Sequence, residues 1–267
     1  MLGGVFALPS HKKRSSNGPV ISVNFQDPSV IEADSTFYAY SGPNGNPSVN
    51  IQVATSPDFA TWSVQSGVDL LPDAGSWAAA TPHVWAPDVN SVRYVVYKVD
   101  GNSIGNGGAC SNSVSPIQPT PILLHEVSPI DGVTLIGDPV QLLTNIAADG
   151  PDIEAPALAF DSSSETYFLF FNSGCYTSTS YNIQYATSSS VLGPYTRRGQ
   201  FLATGDTAAD VIIPGSIDVL PNDNTKAVFH GDINQGYLDG DGSSRVRAVY
   251  AIDIEFSGHT ASVESLL

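Results

Sequence analysis

The sequence predicts an all-β propeller, and two observations carry that prediction. The first is an internal repeat. Ile51-Gln52-Val53-Ala54-Thr55-Ser56 returns as Ile183-Gln184-Tyr185-Ala186-Thr187-Ser188. Each copy follows an aromatic run, Phe37-Tyr38-Ala39-Tyr40 or Tyr167-Phe168-Leu169-Phe170-Phe171. Each aromatic run follows a carboxylate beside a proline, Asp27-Pro28-Ser29-Val30 or Glu154-Ala155-Pro156-Ala157-Leu158. A unit of this size cannot bury its apolar face alone and must stack on its neighbours, as in propellers and arrays. The second observation is local. From residue 20 on, short runs of Val, Ile, Tyr and Phe alternate with clusters of Gly, Asn, Asp, Ser and Pro, the pattern of strands and turns. No segment reads as a convincing helix. An acid at the first strand of each unit would point at one central cavity.

The units follow in order. Residues 1–19 read as a leader remnant and linker, and 20–267 as a single propeller domain. Leu2 to Leu8 is apolar but short, no basic residue precedes it, and His11-Lys12-Lys13-Arg14 looks like a dibasic processing site. A clipped secretory leader is expected, and with it an extracellular protein; a disordered tail is the alternative. One unit covers roughly 20–80 and another 152–205. The last covers 211–256, with strands over Val211 to Leu220, Ala227 to His230 and Arg245 to Ile254. The second strands fall at Tyr38, Tyr94, Tyr167 and Val228.

The middle is irregular. It opens with Val84-Trp85-Ala86-Pro87-Asp88-Val89, and only Asn90-Ser91 intervene before Val92-Arg93-Tyr94-Val95-Val96-Tyr97. The stretch from Asp88 to Tyr94 is about half as long as Asp27 to Tyr38 or Glu154 to Tyr167. An Ala-Thr-Ser-like strand does not follow. Blades two and three are therefore expected to be incomplete or fused, with a segment missing between Asn90 and Ser91.

Composition narrows the function. The chain has 267 residues, 24 Gly and 19 Pro, and 13% of its residues are charged. It carries a net charge of −16 with ten Lys and Arg. Such a surface repels phosphate backbones and anionic lipid, so neither nucleic acid nor membrane is expected as a partner. A monomer is expected. Cys110 and Cys175 both sit in Gly/Ser/Asn-rich loops, where one disulfide would suit a secreted protein. The Gly-rich run from Gly101 to Gly108 lacks the Lys-Ser/Thr of a P-loop, and Asp239-Gly240-Asp241-Gly242 lacks the rest of an EF-hand loop.

Phe25-Gln26-Asp27-Pro28-Ser29-Val30, Trp85-Ala86-Pro87-Asp88-Val89, Ile153-Glu154-Ala155-Pro156, Gly193-Pro194-Tyr195 and Phe229-His230 occur in a meaningful order. Together they resemble glycoside hydrolase family 43, which contains inverting β-xylosidases, α-L-arabinofuranosidases and endo-arabinanases. No one of these motifs is specific; five in order within a repeating β chain are. The resemblance spans about 20–256 and implies a five-bladed β-propeller catalytic domain acting on arabinose- or xylose-containing plant polysaccharides. It implies Asp27 as the general base and Glu154 as the general acid. It places Trp85 and His230 in substrate binding, requires no cofactor, and allows a structural calcium near His230. The family's third aspartate, in an Ile-Asp-Pro-like strand, is not found in this chain.

Each residue has a plainer reading. Asp27 before Pro28 could form a turn, and Glu154 could be a solvated strand-edge carboxylate. His230 ends the apolar run Ala227-Val228-Phe229 and could be a satisfied core histidine. Trp85 could pack in the core rather than stack on a sugar. Asp88 follows its proline, whereas Asp27 precedes its own, which makes it a weak stand-in for the third acid. The missing acid and strands favour an alternative: a catalytically impaired, sugar-binding propeller, or a truncated version of such an enzyme, with low solubility and little hydrolysis.

Overall fold

The computed structural model describes residues 18–43, 49–72, 87, 94–99, 110, 112, 116–128, 135–206, 211–221, 223–234 and 244–267. Four antiparallel sheets hold its strands. The first contains β1 (Ser29–Ala33), β2 (Thr36–Ser41), β3 (Gln52–Ser56) and β4 (Ser63–Val64). The second contains β5 (Tyr94–Lys98), β6 (Ile122–Val127) and β7 (Leu135–Leu143). The third runs through β8 (Ile153–Asp161), β9 (Thr166–Ser173), β10 (Asn182–Ser188) and β11 (Thr196–Leu202). The fourth runs through β12 (Ile212–Val219), β13 (Lys226–Asp232), β14 (Arg247–Ser257) and β15 (Thr260–Leu266). Sheets of four meandering strands arranged side by side are propeller blades.

The repeat read from the sequence is the blade. Tyr38, Tyr94, Tyr167 and Val228 all lie in second strands or, for β5, in the first described strand of the short blade. Alternation explains the burial. In the first blade Val30, Ala39 and Ala54 are paired neighbours facing one core, while Ile31, Tyr38 and Tyr40 face the other way.

Three apolar cores glue the blades in a fixed order. One joins Phe25, Val30, Ala39 and Phe59 of the first blade to Val228, Val249 and Ala251 of the last. A second joins Phe168 and Phe170 of the third blade to Phe229 and Ile252 of the last. A third joins Ile122 and Leu124 of the short blade to Leu169 and Phe171 of the third. The chain also closes on itself at β14. Ile21 pairs with Val249, and β15 takes over the same edge of β14 from Ile252 onward.

The middle of the chain differs from expectation in one respect. Two further strands, β6 and β7, follow β5 after a long connection, and β6 reads Ile-Leu-Leu-His-Glu-Val without the Ala-Thr-Ser signature. The blade has three described strands, which agrees with an incomplete middle. The Asn90-Ser91 junction, Asp88 and the Asp239 to Gly242 run lie outside the described residues. The last blade extends past residue 256 into β15, an element with too few strong β formers on its exposed face to stand out. Cys110 and Cys175 are bonded, with Cα atoms 4.9 Å apart.

The inner strands share a backbone device. Asp27, Ala155 and Ile213 each have φ near +50° (51°, 50° and 51°), and each immediately precedes a proline. Residues before proline are pushed toward extended conformations, and a side chain at positive φ is strained. Bulges follow, between Glu154 and Ala157 and between Ile212 and Gly215. A bulge turns the strand and re-aims the side chain beside it.

Phe170 is fully buried and its ring meets Phe201 at 5.1 Å and Phe256 of the last blade at 6.5 Å. Phe170→Ala should therefore cost about 3–5 kcal/mol, read as a lower denaturation midpoint; a loss under about 1 kcal/mol would show that the blades are not held by this cluster.

Candidate active site

Asp27 sits one residue before Pro28, at the mouth of the first blade's inner strand. Its Oδ1 accepts a hydrogen bond from the Ser216 hydroxyl at 2.7 Å, and its backbone N–H donates to His230 Nδ1 at 3.2 Å. Its Oδ2 accepts no hydrogen bond among the described residues, and the side chain is 19% exposed. His230 is 2% exposed. Burial, then the charges of Arg247 and Arg245, hold its imidazole well below the usual histidine range. The ring is therefore neutral, and Nδ1 is the acceptor nitrogen. Its 3.5 Å approach to Asp27 Oδ1 is a packing contact rather than an ion pair.

Glu154 lies in β8, at the bulge. Tyr181 donates its hydroxyl to Glu154 Oε1 at 2.7 Å. Lys98 Nζ, from β5, lies 3.4 Å from Glu154 Oε2 and 3.2 Å from Asp152 Oδ2. Both oxygens of Glu154 thus face donors. Burial, then the charge and hydrogen bond of Glu154 and the charge of Asp27, push the Tyr181 hydroxyl well above its ordinary range. Tyr181 stays protonated, and it feels both carboxylates at once.

Asn172 and Gly215 tie these pieces together. Asn172, fully buried in β9 and paired with Glu154, accepts from Ser216 N–H at 2.8 Å and donates to the Pro214 carbonyl at 3.1 Å. Gly215 pairs with His230 across β12 and β13. A Cβ at Gly215 would lie 2.6 Å from Tyr181 Cε1 and 2.9 Å from His230 Nε2.

A cavity of about 600 Å³ adjoins Asp27, Lys98 and Ser216. The rest of its wall, including Val96, Leu158, Phe160 and Val219, is largely apolar. Ala155 and Pro156 line it, but Glu154 does not. This cavity is the shaft between the inner strands.

Of the residues singled out in the sequence, Asp27 and His230 touch, and Glu154 joins the same cluster through Tyr181 and Gly215. Trp85 lies outside the described residues. Tyr181, Ser216, Asn172 and Lys98 were not singled out. Tyr181 stands two residues before the repeated Ile-Gln-Tyr-Ala-Thr-Ser segment, but Val49 holds that place in the first unit, so the repeat could not point to it. Lys98 carried one available signal, as one of only ten basic residues in the chain.

Solved structures share this fold. A thermostable family-43 glycoside hydrolase superposes with a TM-score of 0.65 at 19% identity, over 91% of this chain and 93% of that one. An endo-1,4-β-xylanase from Bacteroides thetaiotaomicron gives 0.66 at 17% identity, over 91% and 95%. The fold is that of the family-43 glycoside hydrolases. A family-43 endo-arabinanase from Bacillus licheniformis gives 0.63 at 19% identity, over 90% and 97%. No protein-family model and no curated protein matches the sequence.

The family-43 resemblance allowed calcium near His230. Among the described residues no group of three or more His, Cys, Asp or Glu could hold a metal ion. Calcium takes six to eight oxygen ligands, whereas His230 offers nitrogen, and its Nδ1 is engaged. These residues do not fit such an ion. No helix among the described residues is long and apolar enough to cross a membrane.

Because the native state holds His230 neutral, the unfolded chain takes up a proton first as pH falls below about 6.5. Stability should therefore drop on acidification through that range, by up to about 1.4 kcal/mol per pH unit from this group. His230→Gln should flatten the fall in melting temperature between neutral pH and pH ~5; an unchanged slope would rule out His230 as its source.

Proposed function

We propose that the chain is an inverting glycoside hydrolase acting on O-glycosidic bonds in arabinose- or xylose-containing plant polysaccharides or oligosaccharides. The observation that carries this reading is the cluster around Gly215, which gathers Asp27 and Glu154 on one buried frame. Inversion needs a base and an acid on opposite faces of the scissile bond, roughly 6.5–9.5 Å apart, with a water between.

Asp27 is the base in this reading. Ser216 holds Oδ1, which leaves Oδ2 to take a proton from water as that water attacks the anomeric carbon. Glu154 gives its proton to the departing oxygen, and the glycosidic bond breaks with inversion. Tyr181 holds the Glu154 carboxyl in place and donates to the carboxylate once the proton has left. Extracellular action, a carbohydrate partner and a monomeric state belong to the same proposal.

One observation favours the second reading, an impaired catalyst. Lys98 lies 3.4 Å from the oxygen of Glu154 that Tyr181 does not hold. An ammonium at that distance attracts a carboxylate. With the Ile-Asp-Pro-like motif of the family's third aspartate not found in the sequence, the charged side chain that meets Glu154 is an ammonium.

Hydrolysis of nitrophenyl α-L-arabinofuranoside and β-D-xyloside separates the two readings. If the first is right, Asp27→Asn and Glu154→Gln should each lower turnover about 10²–10⁴-fold. The Glu154→Gln loss should be smaller on nitrophenyl substrates than on oligosaccharides, because a good leaving group needs little protonation. Proton NMR of the fresh product should show the inverted anomer. Retention, or equal losses on both substrate types, would refute the assignment; no turnover at all would favour the impaired propeller.

A further inference from the structure

The chain is strongly acidic, yet two guanidinium groups lie over the Tyr176 ring, one of them in contact with Gln26, the residue before Asp27. Arg247 opens β14, opposite Asp232 of β13. Its Nη1 makes one long contact, 3.5 Å, to Oε1 of Gln26, the residue before Asp27. The Tyr176 ring lies 5.4 Å from its guanidinium carbon. No ion pair holds Arg247 among the described residues, because Asp232 is already taken. Arg245 binds Asp232 through Nε at 2.8 Å and Nη2 at 3.2 Å. The Asp232 side chain is fully buried and that of Arg245 is 7% exposed. Arg245 Nη1 is itself buried with no hydrogen-bond partner. Among the described residues Asp232 thus pairs with Arg245, and Arg247 has no ion pair of its own.

A buried donor without a partner is costly, and a planar guanidinium with open N–H groups suits a carboxylate. We propose that Arg247, backed by Arg245, receives the carboxylate of an acidic sugar, so that the substrate carries a uronic acid. The inference rests on the glycosidase reading of the same site. Three further features support it. Gln26 ties Arg247 to the backbone that positions Asp27. The charge of Arg247 reaches both His230 and Tyr181, which hold Asp27 and Glu154. Tyr176, 41% exposed, offers an aromatic surface next to the two cations. A uronic-acid carboxylate offers Arg247 an ion-pair partner that a neutral pentose lacks.

The test is calorimetric titration of the intact chain with D-glucuronate and with D-xylose, at low and high salt. Glucuronate should bind at least about tenfold more tightly at low salt, and high salt should shrink that preference. Arg247→Gln should abolish the preference, and Arg247→Lys, which keeps charge but loses the fork, should lose about 3–10-fold of it. Circular dichroism checks that each variant folds; if Arg247→Gln does not, Arg247→Lys decides. Equal binding of the two sugars, binding of neither, or a preference untouched in the variants overturns the inference. The titration does not depend on turnover. A glucuronate preference in a chain that hydrolyses nothing would leave this inference standing and the catalytic reading fallen.

Discussion

Tyr181 stands just before β10, His230 lies in β13 and Asn172 in β9, and they converge only because residue 215 has no side chain. Tyr181 holds Glu154, His230 holds the Asp27 backbone, and Asn172 holds Ser216, which in turn holds the Asp27 carboxylate. The mouth of the propeller is thus a set of three buried posts leaning on one bare backbone position. Interiors packed to crystal density cannot absorb even one methyl group without moving something. Here the things that would have to move are an aromatic ring and an imidazole, each already fixed by its own hydrogen bond.

The backbone bears a matching cost. Asp27, Ala155 and Ile213 adopt a left-handed conformation directly before proline, in three inner strands that are neighbours around the shaft. Each such residue costs of order 1–3 kcal/mol. For Ile213, a β-branched residue, the conformation is least natural. The cores between the blades supply the stability against which this strain is held. Val30 N–H donates to Asp218 Oδ2 at 2.8 Å, so the first and last inner strands are also stitched directly beside the strained turns. The placement of Asp27 and Glu154 at the shaft's rim is in this sense a product of strain sustained by packing.

The blades were legible in the sequence because a blade is a local object. Its strands alternate every second residue, its turns are polar, and its aromatic second strand recurs, so Tyr38, Tyr167 and Val228 could each be placed from a short window. The irregular middle was legible for the same reason, although the Asn90-Ser91 junction itself lies outside the described residues. β6 was not, since its Ile-Leu-Leu-His-Glu-Val shares nothing with its counterparts except its place in the sheet. The site divides along the same line. Asp27 and Glu154 sit in repeated local contexts and could be picked out. Their partners Ser216 and Lys98 come from other blades, and no local pattern marks a residue whose importance arises only when two blades are brought together; Tyr181 shares a blade with Glu154 but stands outside the repeated segment.

Cys175 adds a covalent element to this frame. It immediately precedes Tyr176, whose ring lies against Arg245 and Arg247, and it is bonded to Cys110 in the loop between β5 and β6. The bond crosses from the short blade to the third and closes a loop of 65 residues. It therefore laces the least complete part of the ring to the turn that carries Tyr176. Such bonds persist in oxidising surroundings and open where glutathione keeps thiols reduced. The setting of the aromatic surface beside the two arginines is consequently coupled to the redox state of the compartment, and the same sequence made inside a reducing cell would present a looser rim than one made in oxidising surroundings.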